Sequence, residues 1–157
     1  DRVDSGGVLL RITDFGTLPL ILSIGADLGL LQIDSIPLRS FLADPNGTSS
    51  DLMTVQIDSY EVTYSRADRG TVVPRPLVEK IFGSVSVNGT NEFNNLNFLR
   101  LDQVSAQPFS GLARDGKDDE TGSSAIGLNV HFRFFGKTLS GRAVASDIAS
   151  FTIEVVP

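Results

Sequence analysis

Cysteine and tryptophan are missing from these 157 residues, histidine and methionine occur once each, and tyrosine occurs twice. Without cysteine there can be no disulfide, no thiol nucleophile and no zinc–thiolate site. The absence does not fix a compartment, because exported bacterial domains also do without cysteine. Without tryptophan the core must be built from the ten Phe together with Leu, Ile and Val. Basic clusters are missing too. The net charge is −6, and Lys and Arg are scattered, so a phosphate backbone would be repelled and nucleic acid is not expected as a partner. No apolar run reaches the roughly 18 residues that a membrane-spanning helix needs. The nearest, "LPLILSIGADLGLL" (18–31), is broken by Gly25, Asp27 and Gly29. The chain opens at Asp1 rather than Met, as a processed mature protein or a trimmed piece would.

What is present is strand pattern and turn chemistry. The length is that of one domain able to bury its own core, so 1–157 is read as one unit with 1–50 its least regular part. In "VLLRIT" (8–13), Val8, Leu10 and Ile12 share a face. "LLQIDSIPL" (30–38) reads as a strand ending at Pro37. "ADPNGTSS" (43–50) has the residues of a tight reversal. The stretch "IDSYEVTYSRADRG" (57–70) is the longest strand candidate. Val55 and Ile57 fall on one face and Tyr60, Val62 and Tyr64 on the other, so the apolar phase flips at Asp58–Ser59. A period-2 strand changes phase only by inserting a residue, which predicts a β-bulge or bend there.

Further on, "VVPRPL" (72–77) suits a loop or an edge. "SVSVNGTNEFNNLNFLRL" (84–101) reads as strand, Asn-Gly turn and strand. Residues 110–124 read as a polar loop. "AIGLNVHFRFFG" (125–136) aligns Leu128, Val130, Phe132 and Phe134, and "SFTIEVV" (150–156) aligns Phe151, Ile153 and Val155. Helix periodicity is scarce. About seven strands with frequent turns predict an all-β, antiparallel, immunoglobulin-like β-sandwich. An antibody-type Cys-Trp-Cys core is excluded by composition.

Chemical constellations are thin, and no catalytic, cofactor-binding or metal-ligating residue is assigned. A Ser-His-Asp triad would have to use His131, which falls opposite the aromatic run and reads as a surface strand residue. "DGKDDE" (115–120) offers Asp115, Asp118, Asp119 and Glu120 for calcium. The alternating order of an EF-hand is not met, so a solvated acidic loop is expected. Asn46 and Asn88 fit glycosylation sequons and equally fit tight turns, the reading preferred for a bacterial chain. Glu61 and Glu154 could serve a glycosidase only if the fold faced them across a cleft. Tyr60 and Tyr64 read as core or rim aromatics, with sugar stacking as the alternative.

The combination of "YEVTYSRADRG", the proline stretch after it, "FRFFGKTLSGRAV" and "SFTIEVV" resembles a group of exported bacterial β-sandwich proteins, many of them taken to be lipoproteins. The likeness spans roughly residues 52–156 and rests on strands and turns. It implies export to the periplasm, outer surface or extracellular space. It also implies membrane attachment through a lipid-bearing cysteine, which in this chain would have to precede Asp1 or be lacking. It carries no catalytic residues. The functional expectation is a non-enzymatic binding or structural subunit that acts on a protein partner or on itself. A carbohydrate-binding module is the alternative, and a glycoside hydrolase the more distant one.

Overall fold

The computed structural model describes residues 7–16, 18, 20–26 and 31–157. The apolar run 18–31 therefore lies partly outside the described residues. The fold is an all-β sandwich, with half of its residues in strands and 9% in helix. In chain order the strands are β1 (Val8–Ile12), β2 (Ile21–Ser23), β3 (Gln32–Leu42), β4 (Val55–Arg66), β5 (Leu77–Val85), β6 (Thr90–Asn97), β7 (Ile126–Thr138), β8 (Ala143–Ala145) and β9 (Ala149–Val156). Two short helices, α1 (Leu101–Val104) and α2 (Ser110–Asp115), lie between β6 and β7. One sheet has the order β1-β3-β6. The other runs β2-β9-β7-β4-β5, with β8 added to one end of β7.

Nine described strands replace the expected seven or so. The extra ones are short: β2 and β8 have three residues each, too few to show a period in sequence. The sheets are antiparallel except that β2 runs parallel to β9. Two further readings are corrected, and the strand–turn–strand reading around Asn88 holds with a turn of another type. Pro37 does not end β3, which continues to Leu42. It ends β1 instead. Residue 37 offers its carbonyl to Thr13 N at 3.2 Å but has no N–H to return, so the β1–β3 ladder stops at Ile12–Leu38. Residues 110–124 are not all loop, because 110–115 form α2, closed by Gly116 at φ 72°. The Asn-Gly turn does not close a hairpin. Gly89 N bonds Ser86 O with Asn88 at φ 61° in the third position, a type II pattern rather than the type I′ that matches strand twist. Strands β5 and β6 accordingly diverge into opposite sheets.

The phase flip at Asp58–Ser59 is a bulge. Ile57 pairs with Gly136 and Ser59 with Phe135, so Asp58 is extra relative to β7. Across the other edge Ile57 pairs with Gly83 and Ser59 with Lys80, so Ile81 and Phe82 together face Asp58. The insertion grows from none in β7 to one residue in β4 and two in β5. Two insertions restore parity, which is why β5 alternates without a flip while β4 does not. Gly136 sits beside this step because a Cβ there would lie 2.3 Å from Gln56 O. A matched flip occurs in the other sheet. Ile33 and Ile36 are both buried, as are Phe93 and Leu96 opposite them, and Asn95 takes φ 56° between.

Between the sheets runs an aromatic spine. Phe93 stacks on Phe134 at 5.3 Å, Tyr60 on Phe132 at 5.6 Å and Phe132 on Phe151 at 6.3 Å, while Phe98 meets Phe151 edge-on at 5.6 Å. Val62 and Ile153 are buried beside it, as strand phase requires. Strand β9 pairs on both sides, with β2 and β7, so its apolar terminal stretch is interior to the sheet.

Among the described residues, one buried side-chain atom has no partner, the hydroxyl of Ser40 in β3. An unpaired buried hydroxyl costs about 1–3 kcal/mol. We expect Ser40→Ala to leave the melting temperature unchanged or raised. A loss above about 1 kcal/mol would instead mean that the hydroxyl holds an internal water.

Candidate functional site

Among the described residues, the strongest ionic constellation is centred on Arg66 and Asp118, 52 residues apart in sequence. Arg66 ends β4, and its side chain is only 2% exposed. Its Nη2 lies 2.7 Å from Asp118 and its Nε 2.8 Å from Asp68, while Nη1 reaches Val72 O at 3.0 Å and Glu120 at 3.3 Å. The side chain of Asp118 is as buried as that of the arginine. The acidic loop is thus not simply solvated: its central carboxylate points inward at a guanidinium.

One cation among three carboxylates leaves an excess of negative charge, which backbone and hydroxyl donors balance. Gly70 N and Gly127 N donate to Asp68. Thr121 Oγ1 donates to Asp118 at 2.7 Å. Thr71 N, Thr71 Oγ1 and Val72 N donate to Glu120. Burial alone would raise Asp118 and Asp68. The hydrogen bonds from Arg66, with those from Thr121 on Asp118 and from Gly70 and Gly127 on Asp68, outweigh it and hold both below the usual carboxylate range. Glu120 is lowered mainly by the Thr71 hydroxyl and the Val72 N–H. Chemically this arrangement is a clamp between the 67–76 loop and the 116–123 loop. Asp119 is turned the other way, to Arg114 at 2.6 Å, and Asp115 also pairs with Arg114. Among the described residues no three of His, Asp and Glu form a metal-holding group.

His131 lies on the outward face of β7, where strand phase placed it. Its Nε2 is 2.9 Å from Ser65 Oγ and its Nδ1 2.5 Å from Ser150 Oγ. Thr152 donates to Asn129, which donates to Ser65, so a polar ladder crosses β9, β7 and β4. Glu61 pairs in register with Arg133 and Glu154 with Gly127. Six residues of strand separate those rows, roughly 20 Å at 3.3 Å per residue. That exceeds the carboxyl spacing of either glycosidase geometry.

Tyr60 and Tyr64 are buried and offer no stacking surface. Tyr60 donates to Asn97 O at 2.9 Å, and Tyr64 donates to Phe98 O. Burial foremost raises both phenols above their usual range. Their role is to pin the segment that leaves β6. Asn46 and Asn88 both stand in turns. Gly47 N bonds Asp44 O at 2.9 Å around the first, and the second is the φ-positive residue described above.

Sequence reasoning missed the most exposed large apolar side chain among the described residues, Phe82 at 91%. It lies on β5, an edge strand, sharing the outward face with Val78, Lys80 and Ser84. The signal was available: "LVEKIFGSV" carries apolar residues on both faces of one strand. It also missed a cleft at the end of β6. Comparison with protein-family models, with curated proteins and with solved structures returned no match.

Proposed function

We propose that this protein is a non-catalytic subunit of a cell-envelope or extracellular assembly, and that it docks a protein partner or another copy of itself through the outward face of β5. The observation that carries this reading is Phe82, 91% exposed, with Val78 on the same strand face at 61%. Aromatic side chains at the centre of interfaces supply much of the binding energy. Ile81 and Phe82 are the two residues that face Asp58 at the bulge, and the regular alternation of β5 turns Phe82 outward.

The mode is side-chain docking rather than strand addition. The outer edge of β5 carries three guards against pairing with another strand: the bulge, Lys80, and Asn91 Nδ2 donating to Ser84 O at 3.0 Å. Pro74 and Pro76 lie just before the strand on the same edge. Export, as the resemblance implies, is the setting in which such a subunit would work.

Sedimentation velocity tests the reading. The wild-type chain should associate as concentration rises, and Phe82→Ser should weaken that association about tenfold or more while leaving the melting temperature unchanged. A chain that stays monomeric, and whose Phe82→benzoylphenylalanine variant cross-links to no protein in its native envelope, would overturn it.

A further inference from the structure

At the end of the sandwich where β6 gives way to α1, a cleft of about 560 Å³ opens. Its volume is within the range of small-ligand sites, roughly 300–1,000 Å³. The backbone around it is held rigidly. Asn97 and Phe98 carbonyls accept from the two buried tyrosines, and Arg100 N donates to Gln103 Oε1 at 2.8 Å. Gln103 is itself buried and donates to Arg75 O at 2.8 Å. Such preorganisation lowers the ordering cost of binding.

Side chains of alternating polarity line the rim. Gln32 Nε2 donates to Asn97 Oδ1 at 2.9 Å, and Asn97 Nδ2 donates to Glu79 Oε2 at 3.1 Å. Arg100 then stands 4.0 Å from Glu79 and 3.9 Å from Asp102. These two separations exceed the 2.7–2.9 Å of a charge-assisted hydrogen bond. The guanidinium is held between two carboxylates by charge without closing on either. A hydroxyl group both donates and accepts, so it can bridge each gap, taking a hydrogen bond from Arg100 and giving one to a carboxylate. Asp102 is also paired with Arg75 at 2.5 Å, so Arg75 and Arg100 balance Glu79 and Asp102, and the cluster offers no net charge to attract a free anion or cation. Leu101, 59% exposed at the mouth, offers an apolar surface for a face of C–H groups.

We propose that this cleft binds a neutral saccharide. The reading does not depend on the outward face of β5: Phe82 is not among the residues lining the cleft. It also moves sugar recognition from the buried tyrosines, which only brace the site, to the Gln32–Asn97–Arg100–Asp102 rim. Titration of the 15N-labelled protein with neutral cello-, xylo-, malto- and chito-oligosaccharides is the test. At least one series should shift the amides of Gln32, Asn97, Arg100 and Leu101 together. Arg100→Ala should weaken that binding about tenfold or more, as expected when a charged hydrogen-bonding partner is lost. Gln32→Ala, at an exposed position, provides a second variant should the first unfold, and should weaken binding in the same direction. Phe82→Ser should bind normally. No shifts with any neutral series, shifts confined to another surface, binding only of uronate-bearing oligosaccharides, or full affinity in both rim variants would each overturn the proposal.

Discussion

Arg66→Ala is expected to cost about 3–5 kcal/mol, the loss typical of leaving a buried charge without its partner. The reasoning turns on Asp118. Its carboxylate is 1% exposed, and the Arg66 guanidinium beside it 2%, so neither can recover solvation when the other is removed. Asp68 and Glu120 would remain close by and repel both each other and Asp118. Arg66→Lys keeps the charge but loses the fork that reaches several acceptors at once, and should fall between the two. The pH dependence follows from the direction of the shifts. Asp68, Asp118 and Glu120 all titrate lower in the folded chain than in the unfolded one. Their contribution is therefore complete above the unfolded carboxylate range, about pH 4–5, and is lost as pH falls through the folded values. Thermal unfolding followed from pH 7 downward should show a plateau and then an acid limb. In Arg66→Ala the same carboxylates are unpaired, and protonation relieves them, so the gap between the two proteins should narrow as pH falls. A gap that widened with acid, or a loss below about 1 kcal/mol at pH 7, would show that the clamp is not electrostatic.

The parts of the fold legible in sequence were those governed by period and local chemistry. Val8, Leu10 and Ile12 lie on one buried face, as do the alternating residues of β7 and β9, because one face of each strand packs in the core. The bulge at Asp58 was visible because an inserted residue must shift every later side chain, and Tyr60 and Val62 recorded the shift. The matched flip at Asp34–Ser35 and Asn94–Asn95 was not. It is shared by two strands and leaves their register unchanged. Pairings between distant segments were also out of reach. Nothing local in "SRADRG" or "DGKDDE" says that Arg66 and Asp118 meet, and each segment alone reads as a solvated turn. The cleft at the end of β6 is of the same kind. Gln32, Asn97, Glu79 and Arg100 come from β3, β6, β5 and the segment after β6, and only the sandwich brings them together. Phe82 escaped notice because a phenylalanine in a strand is assigned to the core by default, and a wrong-face aromatic is recognised only once its neighbours are placed.

Phe134→Ala carries the other large expected effect, about 3–5 kcal/mol, and it tests the register of the whole larger sheet. Phe134 is wholly buried and lies where the two sheets interlock. It stacks on Phe93 from the opposing sheet at 5.3 Å and meets Tyr60 of the neighbouring strand at 6.0 Å. Its position also lies one residue from Phe135, which pairs with Ser59 immediately past the bulge. Removing the ring leaves a cavity that neither neighbour can readily fill. Tyr60 is anchored through its hydroxyl to Asn97 O, and Phe93 packs so closely on Gly83 that a Cβ there would lie 2.5 Å from the ring. Poor relaxation of this kind places a large-to-small substitution at the costly end of its range. Denaturant unfolding should show a lowered midpoint with an unchanged slope, because the native surface is little altered. The neighbouring Phe135→Ala, on the half-buried outward face under Arg133 at 5.7 Å, should cost distinctly less. Strand β7 carries no insertion and alternates from Ile126 to Thr138, so the order of the two losses reports which face of β7 meets the core. Equal or reversed losses at positions 134 and 135 would therefore overturn the register of β7 against β4 and β9, and with it the place of Phe134 between the two sheets.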